Sequence, residues 1–202
     1  MRSFIVIALM LVYFISPAQN SPANDDVNIP FGLHNKIVYH VQNGTYDVIF
    51  ENKKIISSAY AALVNGADTI TLTGEDHRIF RKRDISDRFG KGFCYEFTVA
   101  SGRKSPIFTQ QFYVYAKREY FFTQLIMEGS SVSSNYMAPL ITGNASIYAT
   151  GDNRTLFVPF DNDTFISYNA ISMNGAPVSD TSAEAGAVYD DISRRGLVTG
   201  SI

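Results

Sequence analysis

The sequence has no tryptophan and a single cysteine, Cys94. One cysteine excludes an intramolecular disulfide framework and any Cys-rich zinc module. An excess of positive charge is also missing: 17 Lys+Arg stand against 19 Asp+Glu, for a formal net charge of -2. A chain balanced in this way lacks the basic surface that neutralises a run of phosphates, so binding to nucleic acid has no electrostatic basis. No glycine-rich phosphate loop precedes a helix, and neither HExxH nor GxSxG occurs. Nucleotide, zinc-protease and serine-hydrolase chemistries therefore lack their residues. No internal repeat, charge run or low-complexity linker divides residues 29–202, and one domain is the economical count.

What is present favours strands. Aromatic residues make up 13% of the chain, from 12 Tyr and 15 Phe, among many Thr, Val and Ile; these side chains fit a pleated, half-buried surface. The N-terminus reads differently. Arg2 gives a positive start, residues 4–15 form an uninterrupted apolar run, and Ser16-Pro17-Ala18 places small residues where a signal peptidase reads. The run is shorter than the about 20 residues of a membrane-spanning helix. Residues 1–18 are thus expected to be a signal peptide, cleaved after Ala18, with the protein secreted or periplasmic and without an integral membrane span. Residues 19–28, rich in Asn, Asp, Ser and Pro without periodicity, are expected to form a flexible leader. In an oxidising compartment a lone thiol has no partner in its own chain. Cys94 alternates with Phe93 and Tyr95, and His34, His40 and His77 lie in other segments, so it reads as a small buried hydrophobe, without the base a nucleophile needs.

From residue 29 onward, short apolar or alternating runs cover residues 36–41, 45–50, 54–64, 69–73, 78–81, 92–99, 107–116 and 120–127. Asn43-Gly44 predicts a hairpin with a type I′ turn, and Asn65-Gly66 and Ser101-Gly102 repeat the signal. Phe93, Tyr95, Phe97 and Val99 fall on one face. Phe112 and Val114 oppose Gln111, Tyr113 and Tyr115, which is period two. A strand is also expected at 155–158. Residues 182–193 carry the one helix-like pattern, but Gly186 and Val188-Tyr189 favour a strand at 186–190, a turn at 191–195 and a further strand at 196–201. The fold class expected is all-β, a large antiparallel β-sandwich. Leu197, Val198 and Ile202 resemble a core strand cut off in mid-sheet, and the sandwich occupying residues 29–202 is expected to be incomplete at its C-terminal end.

Chemistry-bearing clusters are few. Asp161-Asn162-Asp163 offers hard oxygens to a calcium ion, but the glycine and the later bidentate glutamate of a calcium loop are not at the required spacing; a capped turn is the simpler reading. Glu75, Asp76, Glu96, Asp161 and Asp163 are carboxylates available for glycoside hydrolysis, whose two acids must flank the bond. Glu75-Asp76-His77 reads as a hairpin turn and Glu96 as part of a strand. Asp190-Asp191 also reads as a turn. Sequons occur at Asn43, Asn144, Asn153 and Asn162, with Asn153 and Asn162 expected in surface loops. No metal or cofactor is expected.

Several short motifs carry a family resemblance: Gly44-Thr45-Tyr46, Ile56-Ser57-Ser58-Ala59-Tyr60-Ala61, Phe89-Gly90-Lys91-Gly92 and Gln111-Phe112-Tyr113-Val114-Tyr115, followed by Ser134-Asn135-Tyr136-Met137-Ala138-Pro139-Leu140, Phe157-Val158-Pro159-Phe160-Asp161-Asn162-Asp163 and the stretch 189–201. Together they resemble the N-terminal β-domain of secreted bacterial α-galactosidase-like glycoside hydrolases, within the wider group that includes raffinose synthases. The resemblance implies a β-sandwich packed on a (β/α)8 barrel of the same polypeptide, with the catalytic aspartates in that barrel and a carbohydrate as substrate. This chain has no βα alternation and is too short for a barrel of about 250 residues as well as a sandwich. The resemblance thus implies a non-catalytic part, and no catalytic residue is transferred to it. Asn135, Tyr136, Asp161, Asn162 and Asp163 are the residues expected to touch the barrel or the rim of its pocket. The rival expectations are a carbohydrate-binding module acting alone and a structural cell-surface β protein.

Overall fold

A computed structural model describes residues 21–22, 26–74, 78–100, 106–130, 132–145, 151–158, 169–173 and 185–200. The expected signal peptide, Glu75-Asp76-His77 and Ser101-Gly102 lie outside the described residues. The strands are, in order, β1 (Ser21–Pro22), β2 (Val27–Phe31), β3 (Asn35–His40), β4 (Thr45–Phe50), β5 (Lys53–Asn65), β6 (Asp68–Thr71), β7 (Arg78–Asp87) and β8 (Gly90–Ala100). They continue with β9 (Ile107–Tyr115), β10 (Phe121–Glu128), β11 (Tyr136–Ile141), β12 (Asn144–Ala145), β13 (Asn153–Phe157), β14 (Asn169–Ser172), β15 (Ala185–Asp190) and β16 (Arg195–Gly200). Among the described residues there is no helix.

Every pairing among the described residues is antiparallel. One sheet is five-stranded in the order β1-β7-β8-β9-β10, a second is seven-stranded along β11-β5-β4-β3-β2 with β6 and β12 also on β5, and a third is four-stranded, β14-β13-β15-β16. The protein is an all-β antiparallel sandwich of the first two sheets. The strand expected at 186–190, in preference to a helix, is β15. Ordered structure starts earlier than the expected residue 29, because Val27 and Asn28 pair with Tyr39 and Val38, and Ser21 pairs with Phe80. Segments of the polar leader are thus held as strands by ladder hydrogen bonds, which need no apolar periodicity.

Alternation explains the packing. Ile37 and Tyr39 of β3, Tyr46 and Val48 of β4, and Ile56 and Ala59 of β5 meet Tyr95, Phe97, Phe112 and Val114 of the facing sheet in one buried cluster. Rings dominate it: Tyr39 stacks on Phe97 with centroids 3.6 Å apart, and Tyr46 meets Phe112 edge-on at 5.0 Å. A second cluster continues along the same interface through Ala61, Leu63, Leu72, Phe108 and Leu125. Burial of this apolar area is the main driving force for holding the two sheets together.

Three turns fix the registers. The turn between β4 and β5 holds Glu51 (φ 48°) and Asn52 (φ 63°) in the left-handed region, with Phe50 opposite Lys53; two positive φ values in a two-residue loop are the type I′ pattern. At Asn43-Gly44 the hairpin forms, but the expected type I′ turn does not. His40 pairs with Thr45, and only Gly44 is left-handed (φ 71°) in a longer turn closed by Gly44 N–H donating to the His40 carbonyl at 2.9 Å. Asn43 instead uses its side-chain oxygen to accept from the Thr45 N–H (3.1 Å) and hydroxyl (2.8 Å), the competing bond that asparagine makes in turns. Gly66, at φ 65°, opens the two-residue loop between Asn65 and Asp68.

Arg78 lies beneath the Asn43-Gly44 turn, 5% exposed. Its guanidinium donates to the carbonyls of Val41 (2.8 Å), Gln42 (3.4 Å) and Leu72. A Cβ on Gly44 would come within 2.1 Å of the Leu72 oxygen and 2.2 Å of the guanidinium, so this position needs glycine for space as well as for φ. On the opposite side, the Glu119 carboxylate accepts from the Leu33 N–H at 3.2 Å and from the Asn35 amide, and the Asn35 side-chain oxygen accepts from the Glu51 N–H at 2.9 Å. These bonds tie the turn after β9 to the β2–β3 and β4–β5 turns.

Candidate functional site

Of the residues expected to line an interdomain rim, the structure places two. Asn135 is exposed just before β11, and Tyr136, the first residue of that strand, is 51% exposed. Asp161, Asn162 and Asp163 lie outside the described residues. The Ser134 hydroxyl donates to the Tyr136 carbonyl (2.8 Å) and accepts from its N–H (3.3 Å), which fixes the entry into the strand. Strand β11 pairs through Tyr136, Met137 and Ala138 with Val64, Leu63 and Ala62, then shifts register before Ile141 meets Tyr60. Pro139 sits in that irregularity, where a residue without an N–H is tolerated. Its carbonyl accepts from the Tyr46 hydroxyl (3.0 Å) and the Gln110 amide (2.9 Å). Tyr46 belongs to one sheet of the sandwich and Gln110, fully buried, to the other. A single backbone oxygen thus bolts the edge strand to both layers, while Tyr136 and Met137 (39% exposed) stand in solvent beside it.

A second constellation lies on the outer face of the five-stranded sheet. Tyr95, Phe97, Phe112 and Val114 point into the sandwich, so their alternate neighbours face outward. The pairing aligns Arg83, Cys94, Tyr113 and Phe122 in one row across β7 to β10, and Arg81, Glu96, Gln111 and Gln124 in the next. One oxygen of Glu96 accepts from Arg83 Nε (2.9 Å) and from the Gln111 amide (2.8 Å), and Cys94 Sγ lies 3.8 Å from it. The Tyr113 hydroxyl donates to Gln111 Oε1 at 2.6 Å and lies 3.3 Å from Gln124 Oε1. The hydrogen bond to Glu96 raises the Arg83 pKa above its ordinary value, so the guanidinium stays charged. Next to the polar row, Phe89 from the β7–β8 turn meets Phe122 at 4.8 Å and Tyr115 at 5.8 Å, and Tyr120 meets Phe122 at 5.3 Å. Tyr115 also donates to Asp87 at 2.7 Å, and the Phe89 N–H donates to the same side chain at 2.8 Å, which moors the aromatic group to the turn.

Glu96, one of the available carboxylates and part of a strand by its pattern, lies in β8; residue order alone assigns no site role to Arg83, Gln111 or Gln124. A signal for them existed in the short turn Arg88-Phe89: pairing the residues on either side of it brings Arg83 against Cys94 and Arg81 against Glu96. Cys94 is fully buried, and burial pushes its thiol up to about 11. That agrees with the inert reading, since the thiolate is the reactive form. Two further expectations meet the structure here. Of the expected Asp190-Asp191 turn, Asp190 is the last residue of β15 and Asp191 starts the turn, which the Asp190 side chain caps by accepting from the N–H groups of Ile192 (3.3 Å) and Ser193 (3.0 Å). Asn153 is not in a surface loop: it starts β13, paired with Asp190, because the strand extends two residues further back than its apolar run.

The outer face of the other sheet carries a polar chain. His40 Nδ1 lies 3.0 Å from Asp26 and its Nε2 3.4 Å from Asp47, whose same oxygen meets Lys54 Nζ at 2.5 Å. The other Asp47 oxygen accepts from the Ser58 N–H at 2.9 Å, where β5 bulges at a positive φ of 51°. Burial pushes the Asp47 carboxyl up, but hydrogen bonds from Lys54, Ser58 and His40, together with the Lys54 charge, outweigh it and hold the group below its ordinary value. A carboxylate depressed in the folded state stabilises fully above its unfolded pKa of about 3.9 and loses that contribution as pH falls through the lower folded value. Asp47→Asn is expected to lower the urea midpoint at neutral pH and to converge on the unsubstituted protein below about pH 4. A difference that stays constant with pH would show that the effect is not ionic.

Among the described residues, no cluster of three or more His, Cys, Asp or Glu side chains is arranged to hold a metal ion, and no helix is long and apolar enough to cross a membrane. Comparison with protein-family models, with curated proteins and with solved structures finds no match for the chain. The class defined by the structure is an antiparallel β-sandwich with an anchored edge strand and a polar and aromatic outer face.

Proposed function

We propose that the chain is the non-catalytic β-sandwich part of a secreted α-galactosidase-like glycoside hydrolase, serving a (β/α)8 barrel downstream in the same polypeptide that acts on carbohydrate. The observation that supports this reading most is the mounting of β11. The motif Ser134-Asn135-Tyr136-Met137-Ala138-Pro139-Leu140 carries part of the family resemblance, and its polar and aromatic start is exposed on an edge strand that Pro139 fixes to both sheets. A rigid ledge with an exposed Tyr and Met suits docking of a second domain, because aromatic residues and Met are enriched in protein interfaces relative to the rest of the surface. In this reading the sandwich shapes the barrel and carries no reacting group. The N-terminal 1–18 segment directs export.

The test is the intact mass of the native secreted product, with sequencing of its terminal peptides and assay on α-galactosides. The expected product is several times heavier than this chain, begins after Ala18 and releases galactose; within it, Tyr136→Ala with Met137→Ala weakens the association of the two domains in limited proteolysis. A mature product that contains no further domain, or one without glycosidase activity, overturns the proposal.

A further inference from the structure

We propose that the outer face of the five-stranded sheet is a binding site for a neutral oligosaccharide. The inference does not depend on a catalytic barrel; it rests on the hydrogen-bonding capacity left open at Arg83, Glu96 and Gln124, which lie in adjacent rows of that face. Glu96 is held by one oxygen, which takes both hydrogen bonds from Arg83 Nε and Gln111. Its other oxygen and the two terminal nitrogens of Arg83 make no hydrogen bond to the described residues. The carboxylate and guanidinium are thus fixed in place by their inner atoms, with acceptor and donor edges side by side. Gln124, exposed, adds an amide at the far end.

Adjacent hydroxyl groups of a pyranose each donate and accept, which is the complement of neighbouring planar acceptor and donor edges. The face crosses four strands, β7 to β10, a span of about 14 Å at the usual inter-strand spacing, enough for more than one ring. The C–H face of a sugar needs an aromatic surface, and the start of β10 and the β7–β8 turn supply it: Phe122 lies beside Phe89, and Tyr120, just before β10 and 39% exposed, stands at the rim. A few convergent polar groups beside aromatic rings are the usual make-up of a small-molecule site. Glu96 neutralises Arg83, so this fixed pair presents both edges to a ligand without net charge; Arg81, exposed at the end of the row, is the remaining charged side chain of the two rows.

The experiment is a titration of the full chain with a panel of neutral hexose oligosaccharides, followed by isothermal calorimetry and by amide chemical shifts, with uronic-acid oligosaccharides as the charged comparison. The result expected is saturable, salt-insensitive binding at millimolar or lower concentration, with shifts confined to β7 to β10. Tyr120→Ala combined with Gln124→Ala, both at exposed positions, is expected to weaken binding at least tenfold, and Tyr136→Ala on the remote edge strand to leave it unchanged. Absence of binding across the neutral panel overturns the proposal. So does equal binding by the double variant, or binding limited to charged saccharides that fades with salt. An outer face that captures a protein domain while ignoring sugars overturns it as well.

Discussion

Arg78→Leu is expected to destabilise the protein by about 3 kcal/mol, because buried carbonyls lose hydrogen bonds from a charged donor and are left unsatisfied. The side chain is 5% exposed and its guanidinium serves the carbonyls of Val41, Gln42 and Leu72. Bonds from charged donors are worth about 1.5–3 kcal/mol each, and the acceptors left behind are too buried for water to replace the guanidinium fully. Leucine fills much of the volume, so the loss reports the hydrogen bonds and not a cavity. Arg78→Lys is expected to recover part of it, because one ammonium cannot match a planar fork that reaches two chain segments at once. Urea unfolding, with the slope checked for constancy, measures this. A loss under about 1 kcal/mol would mean that water satisfies the carbonyls, against the buried geometry. Gly44→Ala meets the same Leu72 oxygen and the same guanidinium, so the two substitutions are expected to be non-additive.

Phe97→Ala is expected to cost about 3–5 kcal/mol, the usual result of removing a buried phenyl ring. Phe97 is fully buried and stacks on Tyr39 from the opposite sheet at 3.6 Å, with Phe80 at 5.3 Å and Phe112 at 6.0 Å. Its removal leaves a void between two sheets that are each held rigid by their own ladders, so collapse around the gap is limited. Tyr39 also has its hydroxyl beside Arg78; burial pushes that hydroxyl up to about 12, with the guanidinium opposing. The core cluster and the buried arginine are therefore one packed unit. Phe97→Leu is expected to lose only about a third as much, since most of the volume remains. Thermal and urea midpoints for the pair of variants check the ordering, and an equal loss for both would place the energy in ring stacking and not in filled volume.

Set against these energies, the polar chain through Asp47 is a smaller contributor. Its role is local: the carboxylate anchors the bulge at Ser58, which bends β5 so that its first half continues the β4 ladder and its second half pairs with β6 and β11. The mounting of the β11 ledge thus depends on a bulge that Asp47 holds from the outer face of the sheet.

Much of this was legible from residue order. Alternation in β8 and β9 named the inward set Tyr95, Phe97, Phe112 and Val114, because a strand has only two faces and one must be apolar. The run 45–50 coincides with β4, and the strand preferred at 186–190 is β15 within one residue. The absence of basic excess and of disulfides also stands as a property of composition. Tertiary structure decided the rest. It placed the type I′ turn at Glu51-Asn52, where the ladders on both sides and the Asn35 side chain impose the conformation, in preference to Asn43-Gly44, where the intrinsic preference is greater. It turned the Pro139 carbonyl inward to join both layers, and it gathered Arg83, Glu96, Gln111 and Gln124 on one face. Local preference and periodicity are carried by neighbours along the chain; which strands become neighbours across a sheet is set by burying the two inner faces together, and only that pairing brings distant polar groups into one row.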